Sequence, residues 1–337
     1  MFSTNHRDGS KRQVYARFVF RGFVWLTSIV GYLTIILCLG LWTLVESQRP
    51  TKPEPLVKVA SAQIKPPRDS SDPRELYLEL LKRTLTRYQF GERYQDLPDG
   101  YSPGARLTRL SFGLGKALLA STGFEVVRVA PFRPEVREYG VDWPLEGVTM
   151  IGIKRLDNLQ QCVVDVMQRN VPGDLIECGA WRGGACIFMR AVLKAYGDKT
   201  RKVWVADSFQ GLPKPMYKDP YFSGGEMAVS LDEVKQNFRD YGMLDEQVVF
   251  LKGFFADTLP KSPIEKLAIL RLDGDLYEST MDSLNALYDR VSPGGYVIID
   301  DWNLIPARKA VQDFRASHKI TDQILPIDYN GAYWRKS

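Results

Sequence analysis

Residues 174–197 read DLIECGAWRGGACIFMRAVLKAYG: a short apolar run, a glycine-rich turn, and a segment whose apolar residues recur at helical spacing. Strand, loop and helix in that order form the nucleotide-binding unit of doubly wound α/β folds. Gly179 allows a tight turn where the strand ends, while Gly183 and Gly184 let the backbone approach a ligand and the helix approach the sheet. Dinucleotide sites place G-x-G-x-x-G at this point, but this chain has E-x-G-x-x-x-G-G, beginning at Glu177.

That spacing favours S-adenosylmethionine over NAD. A cofactor without a pyrophosphate needs no glycine cradle for phosphates, and its sulfonium and amino-acid end can be oriented by a strand-end acid such as Glu177. The next strand, KVWVAD (202–207), ends in Asp207, placed with Ser208 to meet the ribose hydroxyls. A third strand, VVFLKGFF (248–255), leads through Gly253 and Phe254 to Asp257, where an adenine ring has apolar and aromatic surface to lie on.

Two further strands end in acids: LAILRLDGDLYES (267–279) in Asp273 and Asp275, and GGYVIIDDW (294–302) in Asp300 and Asp301. In a parallel sheet these ends share one rim, where ligands of such folds bind. Like charges gathered there raise one another's pKa and cost stability unless a cation neutralises them. The only histidines are His6 and His318, and the four cysteines form no CxxC pair, so the metal must be held by oxygen. Mg²⁺, or Mn²⁺ in its place, fits Asp273, Asp300 and Asp301, with Asp275 beside them or acting on the substrate.

Toward the N-terminus, residues 22–45 carry no charged side chain, and as a helix they would extend about 36 Å, enough for a hydrocarbon core of about 30 Å. This predicts a membrane anchor after a basic tail (1–21) and before a stem rich in Pro, Ser and Lys (46–73). The anchor predicts a single-pass protein, Golgi type II in a eukaryote or in the inner membrane of a bacterium. An accessory, largely helical region (74–148) follows. Its first helix is capped by Asp72 and Pro73 and carries Leu76, Leu80, Leu81 and Leu85 at helical spacing, and a second helix is expected over 107–121. The catalytic domain then occupies 149–337. A net charge of +5 over 337 residues, partly in the tail, leaves no nucleic-acid footprint; a homo-oligomer is compatible with the sequence.

The four segments 171–187, 203–213, 270–280 and 294–302 together resemble the macrocin O-methyltransferase family, which methylates sugar hydroxyls, and the similarity runs from Thr149 to Trp334. The resemblance implies a Rossmann-like class I methyltransferase fold with a mostly parallel sheet, S-adenosylmethionine as donor, and Mg²⁺ on Asp273, Asp300 and Asp301. It also implies that Thr149 and Met150 close over the cofactor. The related catechol-type enzymes carry a lysine three residues after the first metal aspartate; Leu276 stands there in this chain, which excludes that base. The catalytic residues expected are Asp273 and Asp275. The loop 209–230, with Tyr217, Tyr221 and Phe222, reads as a lid over a sugar acceptor. Two rival readings are an NAD(P)-dependent sugar-modifying enzyme and a membrane-anchored scaffold that has lost catalysis.

Overall fold

The computed structural model describes residues 70–95, 119, 121–124, 127–216 and 219–337. The expected tail, the anchor over 22–45, nearly all of the stem, and all of the 107–121 helix except Leu119 and Ser121 lie outside the described residues. Among the described residues no helix is long and apolar enough to cross a membrane. The chain divides into two compact units, residues 1–60 with 100–126 and residues 61–99 with 127–337. In the first, the described part is a single turn in which the amides of Thr122 and Phe124 both donate to the Leu119 carbonyl. The second carries the sheet and the site.

Its helix α1 (Pro73–Leu85) begins with Asp72 as cap, whose carboxylate accepts from the Arg74 amide at 2.9 Å. The buried stripe is Leu78, Leu81 and Leu85, whereas Leu76 and Leu80 are about half exposed, so the helix is turned from the face expected of it. Two short strands, β1 (Tyr94–Gln95) and β2 (Arg128–Val129), pair antiparallel, and α2 (Pro134–Tyr139) follows. Buried Arg137 ties these pieces together: it donates to Asp142 and to the carbonyls of Thr86 and Glu92. Helix α1 packs on α3 (Ile153–Gln168) and α4 (Gly184–Ala195), with Lys82 bonded to Asp157 at 2.5 Å. The described parts of the accessory segment in this unit, residues 74–95 and 127–148, pack on the helices that cover the sheet.

The sheet has seven strands: β3 (Asp174–Cys178), β4 (Val203–Asp207), β5 (Val248–Lys252), β6 (Leu267–Leu272), β7 (Val291–Ile299), β8 (Leu325–Pro326) and β9 (Ala332–Arg335). Their order is β5-β4-β3-β6-β7-β9-β8. The first five run parallel, and β9 pairs antiparallel with both β7 and β8, which makes the sheet mixed. Helices α1, α3, α4 and α5 (Leu231–Asp240) cover one face. Helices α7 (Tyr277–Leu287) and α8 (Ile305–Ser317) cover the other; between the strands lies the one-turn α6 (Phe255–Thr258). Covered on both sides, a central strand must be apolar throughout: all six residues of β6 are buried, and Arg271 alone is charged.

Candidate active site at the carboxyl rim of the sheet

Strand register assembles the acids. Leu272 pairs with Cys178 on one side and Ile299 on the other, so the next residues, Asp273 and Asp300, leave the sheet as neighbours. The ladder runs one step further through Asp273 N–H to the Cys178 carbonyl (2.9 Å), Asp300 N–H to Leu272 (2.8 Å) and Gly179 N–H to Ala206 (2.8 Å). One oxygen each from Asp273, Asp300 and Asp301 lies within 4.8 Å of the others, an all-oxygen set suited to a hard divalent cation. Asp275 turns back on this group in a left-handed conformation (φ 59°), and its amide donates to Asp301 Oδ2 at 2.9 Å.

Two arginines, neither of them anticipated from the sequence, hold the cluster. Arg271, 1% exposed, donates to Glu177, to Asp273 (2.7 Å) and to Asp300. Arg155 donates to the other oxygen of Asp300 and to the Tyr139 carbonyl (3.1 Å), and its Nε stands 3.4 Å from Asp328. A charge inside the apolar run LAILRL was the available signal for Arg271; Arg155 lies 116 residues earlier and had none.

Burial opposes ionisation of Asp300, but Arg155 and Arg271 outweigh it and hold its carboxyl below the usual range. The rest go the other way. Burial, aided by Asp300, lifts Asp273 to about 6, and burial with the neighbouring aspartates lifts Asp275 and Asp301 well above the ordinary value. A carboxyl whose folded pKa is raised loses stabilisation as pH rises through that value, and a proton on it competes with a cation. Mg²⁺ is therefore expected to raise the melting temperature more at pH 8 than at pH 5.5. Calorimetry in buffers of different ionisation enthalpy should show proton release on binding below pH 7. Equal Mg²⁺ affinity at both pH values would contradict this.

Beside the acids an open cleft is lined by Gly179 and Trp181 of the glycine turn, Asp207 and Ser208, Phe254, and the segment Asp273–Leu276. Met150 is also part of the lining. Of the residues assigned to the cofactor from the sequence, Met150, Gly179, Asp207, Ser208 and Phe254 reach this cleft, while Thr149, Glu177, Gly183, Gly184, Gly253 and Asp257 do not. Each displacement has a physical reason. Strand alternation turns Glu177 inward, where it is 2% exposed, pairs with Arg271, and accepts from the Cys186 thiol at 2.8 Å. Burial, against the pull of Arg271, lifts its pKa to about 7. A Cβ on Gly183 would touch Val234 and Phe238 at 3.0 Å, so this glycine serves helix α5.

Gly184 makes room for the strap formed by Val148, Thr149 and Met150: a Cβ would fall 2.5 Å from the Val148 carbonyl and 2.6 Å from Thr149. Its amide donates to that carbonyl at 3.0 Å, which docks the strap on the start of α4 and leaves Thr149 buried behind Met150. Gly253 (φ 139°) packs against Thr258, and Asp257 faces solvent. Asp207 reaches the cleft but is partly spent on the fold. Its Oδ2 accepts from the Ala180 and Trp181 amides (2.8 and 3.2 Å) and its Oδ1 from Phe209 (2.7 Å), so it braces the glycine turn.

The loop after β4 lines the cleft with Gly211, Leu212, Lys214, Met216 and Met227, and is pinned by paired bonds between Leu212 and residues 225 and 226. Tyr221 and Phe222 form a ring pair 6.3 Å apart outside the lining; Tyr217 lies outside the described residues. Left-handed backbone at a residue other than glycine is costly, and Trp181, Met227 and Asp275 all adopt it on the cleft wall.

A family model described as macrocin-O-methyltransferase matches residues 74–336. The chain is 54% identical over 220 residues to demethyldecarbamoylnovobiocin O-methyltransferase of Streptomyces niveus, covering 62% of this chain and 84% of that protein. It is 45% identical over 281 residues to 8-demethyl-8-(2,3-dimethoxy-alpha-L-rhamnosyl)-tetracenomycin-C 4'-O-methyltransferase of Streptomyces olivaceus, covering 79% and 94%. Among solved structures, the O-methyltransferase NovP superposes with a TM-score of 0.65 at 45% identity, covering 78% of this chain and 99% of that one.

Proposed function

The chain belongs to the macrocin O-methyltransferase family and is an O-methyltransferase, and from that premise we propose that it transfers the methyl group of S-adenosylmethionine to a sugar hydroxyl on a glycosylated small molecule, with a divalent cation on Asp273, Asp300 and Asp301. The single observation that carries the reading is the convergence of those three carboxylates, one of which, Asp273, lines the cleft together with Gly179. Named substrates of the relatives support the acceptor class, one of them a rhamnosyl compound.

The donor's adenosine end is assigned to Asp207, Ser208 and Phe254, and its methionyl end to the turn at Gly179, with Met150 as cover. A cation held by Asp273, Asp300 and Asp301 would supply Lewis acidity that lowers the pKa of an acceptor hydroxyl. Asp275 is the proton acceptor. It lies on the cleft wall next to Asp273, with its backbone in the left-handed conformation that turns its amide to Asp301. The loop 209–230 excludes water.

Incubation of the protein with labelled donor, Mg²⁺ and a panel of 6-deoxy-sugar glycosides tests the reading: methyl transfer is expected, and EDTA should abolish it. Full activity in EDTA would sink the cation's role, and transfer to none of the glycosides would sink the acceptor class. Asp275→Asn should lower kcat by about 10²–10⁴ while S-adenosylhomocysteine affinity stays within a few-fold; unchanged kcat would remove Asp275 from the mechanism. The anchor over 22–45 is retained as part of the proposal, on the strength of its uncharged length. The full chain should sediment with membranes and resist carbonate extraction, and release by carbonate would refute an anchor.

A further inference from the structure

Outside the cleft, one guanidinium gathers three parts of the chain. Arg155 bonds Asp300 and the carbonyl of Tyr139 at the end of α2, and its charge pairs at 3.4 Å with Asp328, in the turn that carries Tyr329. Asp328 is fixed in turn, with its Oδ1 accepting from the amides of Asn330 (2.8 Å) and Gly331 (2.7 Å). The two tyrosine rings come together at 6.1 Å between centroids, tilted by 54°. The Lys154 ammonium, 3.7 Å from the centroid of Tyr139, holds that ring in place. Tyr329 is 50% exposed.

The backbone that follows Tyr139 reaches the cleft wall, although neither ring lines the cleft. A Cβ built on Gly140, next to Tyr139, would fall 2.5 Å from the carbonyl of Met150, and Met150 lines the cleft wall. Burial raises the pKa of the Tyr329 hydroxyl, which also feels the charges of Arg155, Asp328 and Asp300. This ring pair, in which Tyr329 is half exposed and Tyr139 is partly buried under Lys154, has no role in the packing of the sheet; neither ring belongs to a core cluster.

We propose that Tyr139 and Tyr329 form the stacking platform for the acceptor, receiving the C–H face of a pyranose ring whose reacting hydroxyl lies at the carboxylate cluster. The assignment rests on the sugar-acceptor reading given above. Sugars present one apolar face of axial C–H groups, and a tyrosine ring covers it with little loss of conformational freedom. Arg155 makes the platform specific, because the same side chain that holds Asp300 sets where both rings stand.

Methyl α-L-rhamnopyranoside serves as the probe, with the full chain in S-adenosylhomocysteine and Mg²⁺. Saturation-transfer NMR on the wild type should label the ring C–H protons. Tyr329→Leu together with Tyr139→Leu should remove most of that signal and raise the glycoside KM about tenfold, the scale of one to two aromatic contacts. The KM for S-adenosylmethionine, the Mg²⁺ affinity and the melting temperature should stay near the wild-type values, since neither ring lines the donor cleft. Tyr329→Phe and Tyr139→Phe should keep the signal. A double-leucine variant that binds the rhamnoside as the wild type does would overturn the platform and leave the sugar reading intact. A wild type that binds S-adenosylhomocysteine but neither labels nor methylates the rhamnoside would overturn both.

Discussion

Gly179→Ala should abolish methyl transfer and destabilise the fold by roughly 2–6 kcal/mol, made of about 1–3 from forcing a side chain into left-handed backbone and about 1–3 from overpacking. Gly179 has φ 101°, and a Cβ there would fall 1.6 Å from the carbonyl oxygen of Asp273. That oxygen is backbone, so no rotamer change relieves the clash; the turn or the residue next to the cation site must move. The same displacement reaches both ligands, and affinity for S-adenosylhomocysteine and for Mg²⁺ should fall together. Gly197→Ala is the control: it has φ 75° with nothing within 4 Å, and should cost only about 1 kcal/mol. Urea unfolding and calorimetry read both variants. If Gly179→Ala retained wild-type affinity for either ligand, the close approach of turn and cluster would be disproved.

The second large effect falls on Arg271. Arg271→Met removes the guanidinium shared by Glu177, Asp273 and Asp300: buried Glu177 loses its ion-pair partner, Asp273 stays about a quarter exposed at 25%, and Asp300 keeps Arg155. Breaking a buried pair in this way costs about 3–5 kcal/mol, because the partner charges stay desolvated. Arg271→Lys keeps the charge but not the forked geometry and should fall between the two. Adding Glu177→Gln to Arg271→Met removes one orphaned charge, so the double variant should recover part of the loss in a mutant cycle. A loss under about 1 kcal/mol for Arg271→Met would show that the acids are neutral in the folded protein and that the arginine is not what holds them.

Both effects expose the limit of local reading. Asp273, Asp300 and Asp301 were legible because each follows an apolar strand, and the strands of a parallel sheet end on a common rim. Glu177 looked equally well placed, yet pleating turned it into the interior, where Arg271 neutralises it. Gly183 and Gly184 were legible as glycines that permit close approach, but what approaches them is helix α5 and the Val148–Thr149 strap.

By itself, the sequence determined the class of fold, the order of strand, turn and helix, and the acids that end the strands, because periodicity and strand-end chemistry are local properties of the chain. The tertiary structure alone decided which charges meet. Arg155 lies 145 residues from Asp300, and Tyr139 stands beside Tyr329 from the far end of the domain. Strand register, side-chain alternation and helix docking set those distances, and each depends on packing between segments that no local pattern encodes.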